Sequence, residues 1–203
     1  MILTFYSFAK SVVYGLLKPI YRFDVIGTEN FPKEGGVLIC TNHIDNLDPP
    51  VVGITAPRPI HFFAKEELVH VPVLGKIVLN LNIVPVKRGM SDREALRKGL
   101  AVLNEGKVLG IFPEGHRSKT GELGKGLAGA GFFTLRSDAL VVPCAIIGPY
   151  KAFKRLKVVY GKPMDMSEYR ERKASAKEVT EAIMAQIKGL IEENREKISR
   201  LTK

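Results

Sequence analysis

Cysteine is scarce in this chain. The 203 residues hold only Cys40 and Cys144, and both fall inside apolar runs. That excludes a disulfide framework and points to small buried hydrophobes in a reducing compartment, with no metal-ligating company around either. The glycine fingerprints G-x-G-x-x-G and G-x-x-x-x-G-K-[ST] are absent, so a nucleotide-binding fold has no signature here. The G-x-S-x-G elbow of the serine hydrolases is missing as well. Acidic residues are outnumbered, 21 against 31 Lys and Arg, leaving a net charge of +10. Such an excess calls for an anionic partner: phosphate, nucleic acid or acidic lipid. Nucleic acid is disfavoured, because the chain has neither finger spacing nor a sheet with the expected basic and aromatic residues. Apolar content of 45% with 26% charge excludes wholesale disorder, and the length suits one globular domain.

What is present begins with an apolar N-terminus, ILTFYSFAKSVVYGLLKPI at residues 2–20. Drawn as a helix, it groups Thr4, Ser7, Ser11, Tyr14 and Lys18 on one side, with Lys10 beside them, and Pro19 marks its end. A secretory signal would need a basic start and a small-residue cleavage site, and neither is evident. A spanning helix would hold Lys10 near mid-bilayer. An interfacial helix with Lys10 and Lys18 at the headgroups fits better, and a core helix packed on a sheet is the alternative. The expected organisation is a membrane-associated amphipathic helix at residues 1–21 and a catalytic domain at 22–203.

Short apolar runs at 23–27, 36–41, 59–64, 82–86, 108–112, 139–147 and 156–160 predict strands. Several lack alternation, as strands buried on both faces do. Between them, helices are expected at 49–56, from a Ser91–Glu94 capping box to about 104, at 125–136 where Gly and Ala allow close packing, and from 167 to about 201. The alternation predicts an α/β fold: a mixed, largely parallel sheet flanked by helices. Polar residues just beyond strand ends then line the ligand crevice.

Two such clusters carry chemistry. In T-N-H-I-D-N-L-D, His43 is a candidate base and Asp48 the carboxylate that orients it. An ideal helix would set the two about 140° apart, so a turn after the strand is needed to pair them. Asp48 before Pro49 also reads as an N-cap, and the two roles are compatible. Asn42 either bonds the turn or serves local structure alone, and Asp45 is a second carboxylate ranked below Asp48. Cys40 points to the face opposite His43, which disfavours a covalent acyl-enzyme. In F-P-E-G-H-R-S, Arg117 offers a fork for a phosphate, Gly115 admits a positive φ, and Glu114 either holds Arg117, takes a substrate hydroxyl or forms a plain surface pair with it. His116 reads as a substrate contact, a second base or an exposed loop residue. Lys65, Lys87 and Arg88 follow other strands and suit the same anion, Arg88 best for its geometry. Lys151, Lys154, Arg155, Lys157 and Lys162 form a basic stretch for lipid headgroups or the phosphates of a carrier, or else a solvated sheet edge.

In order and separation these motifs resemble the glycerophospholipid acyltransferase family, in particular its bacterial 1-acylglycerol-3-phosphate branch, over roughly residues 22–165. N-H-I-D-N-L-D matches the family's first motif at His43 and Asp48. V-K-R-G matches the second at Arg88. F-P-E-G-H-R-S matches the third at Glu114, Gly115 and Arg117. V-V-P-C-A-I resembles the fourth, centred on Pro143, and A-K-E-E-L at 64–68 resembles another recurrent segment. His116 departs from the threonine usual there. The resemblance implies direct transfer of a fatty acyl group from acyl-CoA or acyl carrier protein to the sn-2 hydroxyl of lysophosphatidate, giving phosphatidate. It implies no metal or cofactor, an acceptor phosphate held by Arg88 and Arg117 with Lys65 as helper, and monotopic or peripheral attachment at the cytoplasmic face of the cell membrane. An acyl thioesterase and a noncatalytic anionic-lipid-binding protein are the competing classes. The sequence says nothing of oligomeric state.

Overall fold

The computed structural model describes residues 5–67, 82–86 and 93–201. Ser91 of the expected capping box, Lys87 and Arg88 lie outside the described residues. In chain order the elements are α1 (Phe5–Leu17), β1 (Arg22–Ile26), β2 (Val37–Thr41), α2 (Asp48–Thr55), β3 (Ile60–Lys65), β4 (Ile83–Val86), α3 (Arg93–Asn104), β5 (Val108–Ile111), α4 (Gly129–Leu135), β6 (Leu140–Ile147), β7 (Arg155–Tyr160), α5 (Ser167–Glu171) and α6 (Ala176–Leu201). All of the expected apolar runs form strands, within a residue or so at each end.

The strands make one seven-stranded sheet in the order β1-β7-β6-β2-β5-β3-β4. Every neighbouring pair is parallel except β6 with β7. Parallel strands need covered faces, and alternate side chains feed two cores. Leu38, Cys40, Leu109, Val141 and Ala145 face α3, α4 and α6. Val37, Ile39, Val108, Val142, Cys144 and Val158 face α2 and the apolar residues after α1. Cys40 and Cys144 are thus fully buried on opposite faces of the central strands. Burial pushes both thiols up, Cys144 to about 12.

Four local expectations are corrected. The predicted helix at 125–136 shortens to α4. Residues 123–127 run irregularly, with Gly126 fitted against Thr180 and Met184 of α6. The C-terminal helix is broken: α5 ends near Arg172, Lys173 takes φ 53°, and α6 starts at Ala176. Ala174 therefore packs on the core from a turn. Asp48 is the first residue of α2 and not its N-cap, which is Leu47. Lys10 does not extend to the headgroup side. Its Nζ donates to the Ala56 carbonyl at 2.6 Å, where α2 ends. A cation there meets the negative end of the helix dipole, and half-burial lowers the Lys10 pKa.

Helix α1 consequently presents two stripes. Tyr6, Lys10, Val13 and Leu17 turn toward the body, where the Tyr6 hydroxyl accepts from the Ile60 amide at 3.2 Å. Phe8, Val12 and Leu16 recur every four residues on the other side and stay exposed, Phe8 at 61% and Leu16 at 66%. Among the described residues, no helix is long and apolar enough to cross a membrane.

Close approach of α4 to α6 rests on Gly131, whose missing Cβ would collide with the Ala176 backbone. Gly131→Ala is therefore expected to lower stability by about 1–3 kcal/mol, read as a reduced denaturant midpoint with an unchanged slope.

Candidate active site

Strands β2, β5, β3 and β4 run parallel, so their C-terminal ends open on the same edge of the sheet. His43 follows β2, Pro113 and Glu114 follow β5, Lys65 ends β3 and Val86 ends β4. A cleft of about 530 Å³ lies there. It is lined by His43, Ala64, Val86, Phe112 and Gly115, and closed at the back by Ala130 and Phe133 of α4.

The turn that pairs His43 with Asp48 is organised by the Asp48 carboxylate itself. Asp48 Oδ2 accepts the Ile44 amide at 2.6 Å and the Asp45 amide at 2.8 Å. It also lies 2.7 Å from His43 Nδ1. Consecutive amides converging on one oxygen form an anion-binding nest, and the chain between residues 43 and 48 wraps around it. Asp48 is fully buried, while His43 keeps 19% of its side-chain surface. The carboxylate thus engages the Nδ1 edge of an imidazole that lines the cleft. Phe112 stacks on the imidazole with centroids 4.1 Å apart. Asp45 serves the turn locally by accepting the Leu47 amide. Asn42 does not bond this turn. Its amide reaches across to β6, donating to the Ile146 carbonyl at 2.9 Å and accepting from the Ile146 amide at 2.8 Å.

Glu114 proves to be neither a surface residue nor the holder of Arg117. It is 1% exposed, and its two oxygens accept the amides of His43 and Gly124, each at 2.8 Å. The Ser118 amide donates to the His43 carbonyl at 2.8 Å. The loop after β5 therefore grips both backbone polar groups of His43. Gly115 takes φ 70°, and a Cβ there would strike Leu127 Cδ1. His116 and Arg117 follow Gly115 in the same loop and are exposed. Arg88 lies outside the described residues. Pro143 sits inside β6, its ring beside Gly161 and Leu190 and its carbonyl taking the Gly161 amide at 2.8 Å. Lys157 leaves the expected basic stretch: it is buried and turned 3.7 Å from Asp24, while Lys151, Lys154, Arg155 and Lys162 are exposed.

Sequence reasoning missed Tyr150. Its hydroxyl donates to Asp48 Oδ1 at 2.7 Å from the loop between β6 and β7. Burial, with the adjacent Asp48 charge next, pushes this phenol well above its ordinary value. Nothing local marks it, since 102 residues separate the partners.

A half-buried histidine backed by a buried aspartate, at the mouth of a largely parallel α/β sheet and clamped by the loop after β5, is the arrangement of an acyl-transferring enzyme. The chain belongs to the Acyltransferase family, whose model matches residues 22–147. Among its relatives, the 1-acyl-sn-glycerol-3-phosphate acyltransferase of Bacillus subtilis is 29% identical over 196 residues, 91% of this chain and 96% of that protein. The protein of the same name from Borreliella burgdorferi is 31% identical over 124 residues, 60% of this chain and 50% of that protein. The crystal structure of the 1-acyl-sn-glycerophosphate acyltransferase from Thermotoga maritima shares the fold. Its TM-score is 0.74 at 23% identity, covering 93% of this chain and 81% of that one.

Glu114→Gln leaves a single acceptor for two buried amides. It should cost about 1–3 kcal/mol of stability and lower turnover, as measured by denaturant unfolding and steady-state rate. Tyr150 gives a pH signature. Above pH ~10 its unfolded phenol ionises while the native one stays protonated, so stability falls as pH rises. Tyr150→Phe should therefore flatten the alkaline decline in melting temperature.

Proposed function

We propose that the chain transfers a fatty acyl group from a thioester, acyl-CoA or acyl carrier protein, to the sn-2 hydroxyl of 1-acylglycerol-3-phosphate, releasing thiol and phosphatidate. The observation that carries this is the His43 imidazole, held by Asp48 through Nδ1 in the lining of the cleft; with the ring proton on Nδ1 toward Asp48, Nε2 is the base. The names of the relatives supply the substrate class.

Nε2 takes the proton of the hydroxyl as its oxygen attacks the thioester carbonyl. Asp48 and Tyr150 hold the imidazole in this tautomer and stabilise the imidazolium. The tetrahedral intermediate collapses by breaking the C–S bond, and the imidazolium returns its proton to the departing sulfur. The amides of Gly115 and Ser118 are committed to the carbonyls of Phe112 and His43. Those of His116 and Arg117 are assigned to the oxyanion. Arg117 holds the acceptor phosphate, with Arg88 and Lys65 as the other cations of that subsite. Glu114 and Gly115 shape the loop, and Pro143 supports the sheet behind it. These residues need no metal for the steps assigned to them.

Residues 1–21 act as the membrane-associated helix and 22–203 as the catalytic domain. The exposed stripe Phe8, Val12 and Leu16 enters the interface of the membrane that supplies the acceptor. Attachment is peripheral or monotopic, on the cytoplasmic face.

Labelled acyl-CoA, incubated with and without lysophosphatidate, should yield labelled phosphatidate only with acceptor. Hydrolysis without acceptor would assign a thioesterase, and vesicle binding without transfer a lipid-binding protein. His43→Ala should lower turnover by roughly 10²–10⁴-fold in a folded protein. Arg117→Ala should raise the acceptor KM by about tenfold and leave donor KM in place.

A further inference from the structure

The turn between β6 and β7 exposes a large aromatic side chain. Phe153 is 70% exposed, more than any other large hydrophobic residue described. Its φ is 65°, a conformation that bulky L-residues rarely adopt. A glycine would satisfy this turn without strain, so the phenyl ring is retained against a local cost. Lys151, Lys154 and Arg155 flank it in the chain, all exposed, and the next acidic residue along the chain is Asp165.

This turn is fixed to the segment that joins α1 to β1. The Phe153 amide donates to the Ile20 carbonyl at 2.7 Å, and the Arg22 amide to the Lys154 carbonyl at 3.1 Å. Tyr150 packs edge-on against Tyr21, with centroids 5.7 Å apart. Ile20 and Leu16, both exposed, continue the apolar surface onto α1, and Lys18 and Arg22 add exposed cations beside it. An apolar tip flanked by cations, hydrogen-bonded to the segment that follows a helix whose free stripe is apolar, matches the chemistry of an anionic lipid surface: hydrocarbon beneath, phosphate above.

We infer that the turn at 149–154 is a second lipid-contacting element, with Phe153 inserting below the headgroups and Lys151, Lys154 and Arg155 contacting their phosphates. The inference rests on the membrane attachment proposed for α1. It assigns the basic turn to lipid in preference to the phosphates of the acyl donor.

Sedimentation with vesicles of phosphatidylcholine alone, or mixed with phosphatidylglycerol, tests it. Phe153→Gly relieves the φ constraint, so it should melt no lower than the parent yet bind both vesicles roughly tenfold more weakly. Lys151→Ala/Lys154→Ala/Arg155→Ala should bind anionic vesicles on the order of 100-fold more weakly and phosphatidylcholine unchanged, the difference vanishing in high salt. The chain has no tryptophan, so Phe153→Trp supplies a single reporter whose emission should shift to the blue on vesicle addition. Parent-like binding by both loop variants, with Phe8→Ser/Val12→Ser/Leu16→Ser released, overturns the turn contact and leaves the helix assignment standing. Unshifted indole emission from vesicle-bound Phe153→Trp protein also overturns the turn contact. A parent protein that stays in solution with both vesicles overturns both assignments.

Discussion

The fixed point of this structure is the carboxylate of Asp48. It is fully buried, and such a group persists inside a protein only when donors replace its lost water. Asp48 collects four: the amides of Ile44 and Asp45, the His43 ring and the Tyr150 hydroxyl. Those partners tie together the end of β2, the first turn of α2 and the loop after β6. The spacing of histidine and aspartate is thus a consequence of how many residues it takes to wrap one carboxylate and return to helix.

A second carboxylate does the same for the backbone of His43. Glu114 joins the His43 amide to that of Gly124, and Ser118 answers at the His43 carbonyl. The imidazole is therefore held by its ring and by both sides of its peptide, and Phe112 covers one of its faces. A base held this firmly loses little entropy when a substrate arrives, the general condition for effective positioning. His116 and Arg117, further along the same loop, stay exposed.

Strands and the catalytic-type pair were legible because both write local patterns. Val- and Ile-rich runs mark strands buried on both faces, and a histidine with a nearby aspartate after such a run marks a strand end. What escaped depends on pairings that no local pattern records. Tyr150 meets Asp48 across 102 residues, and Asn42 meets Ile146 across 104. Glu114 reads as a partner of Arg117 or of a substrate hydroxyl because its actual partners are backbone amides, which carry no sequence mark. Lys10 reads as a headgroup contact until the end of α2 comes within reach of its Nζ. The break before α6 was hidden because Ala174 keeps its contact with the core while leaving the helix.

The two cysteines bear on the chemistry in a different way. Thiolates exchange readily with thioesters, and a chain whose proposed donor is a thioester risks capturing the acyl group on its own sulfur. Cys40 and Cys144 lie fully buried in adjacent central strands, with burial disfavouring the thiolate in both. Transthioesterification onto the polypeptide is thereby suppressed, and the acyl carbon is left for an oxygen nucleophile.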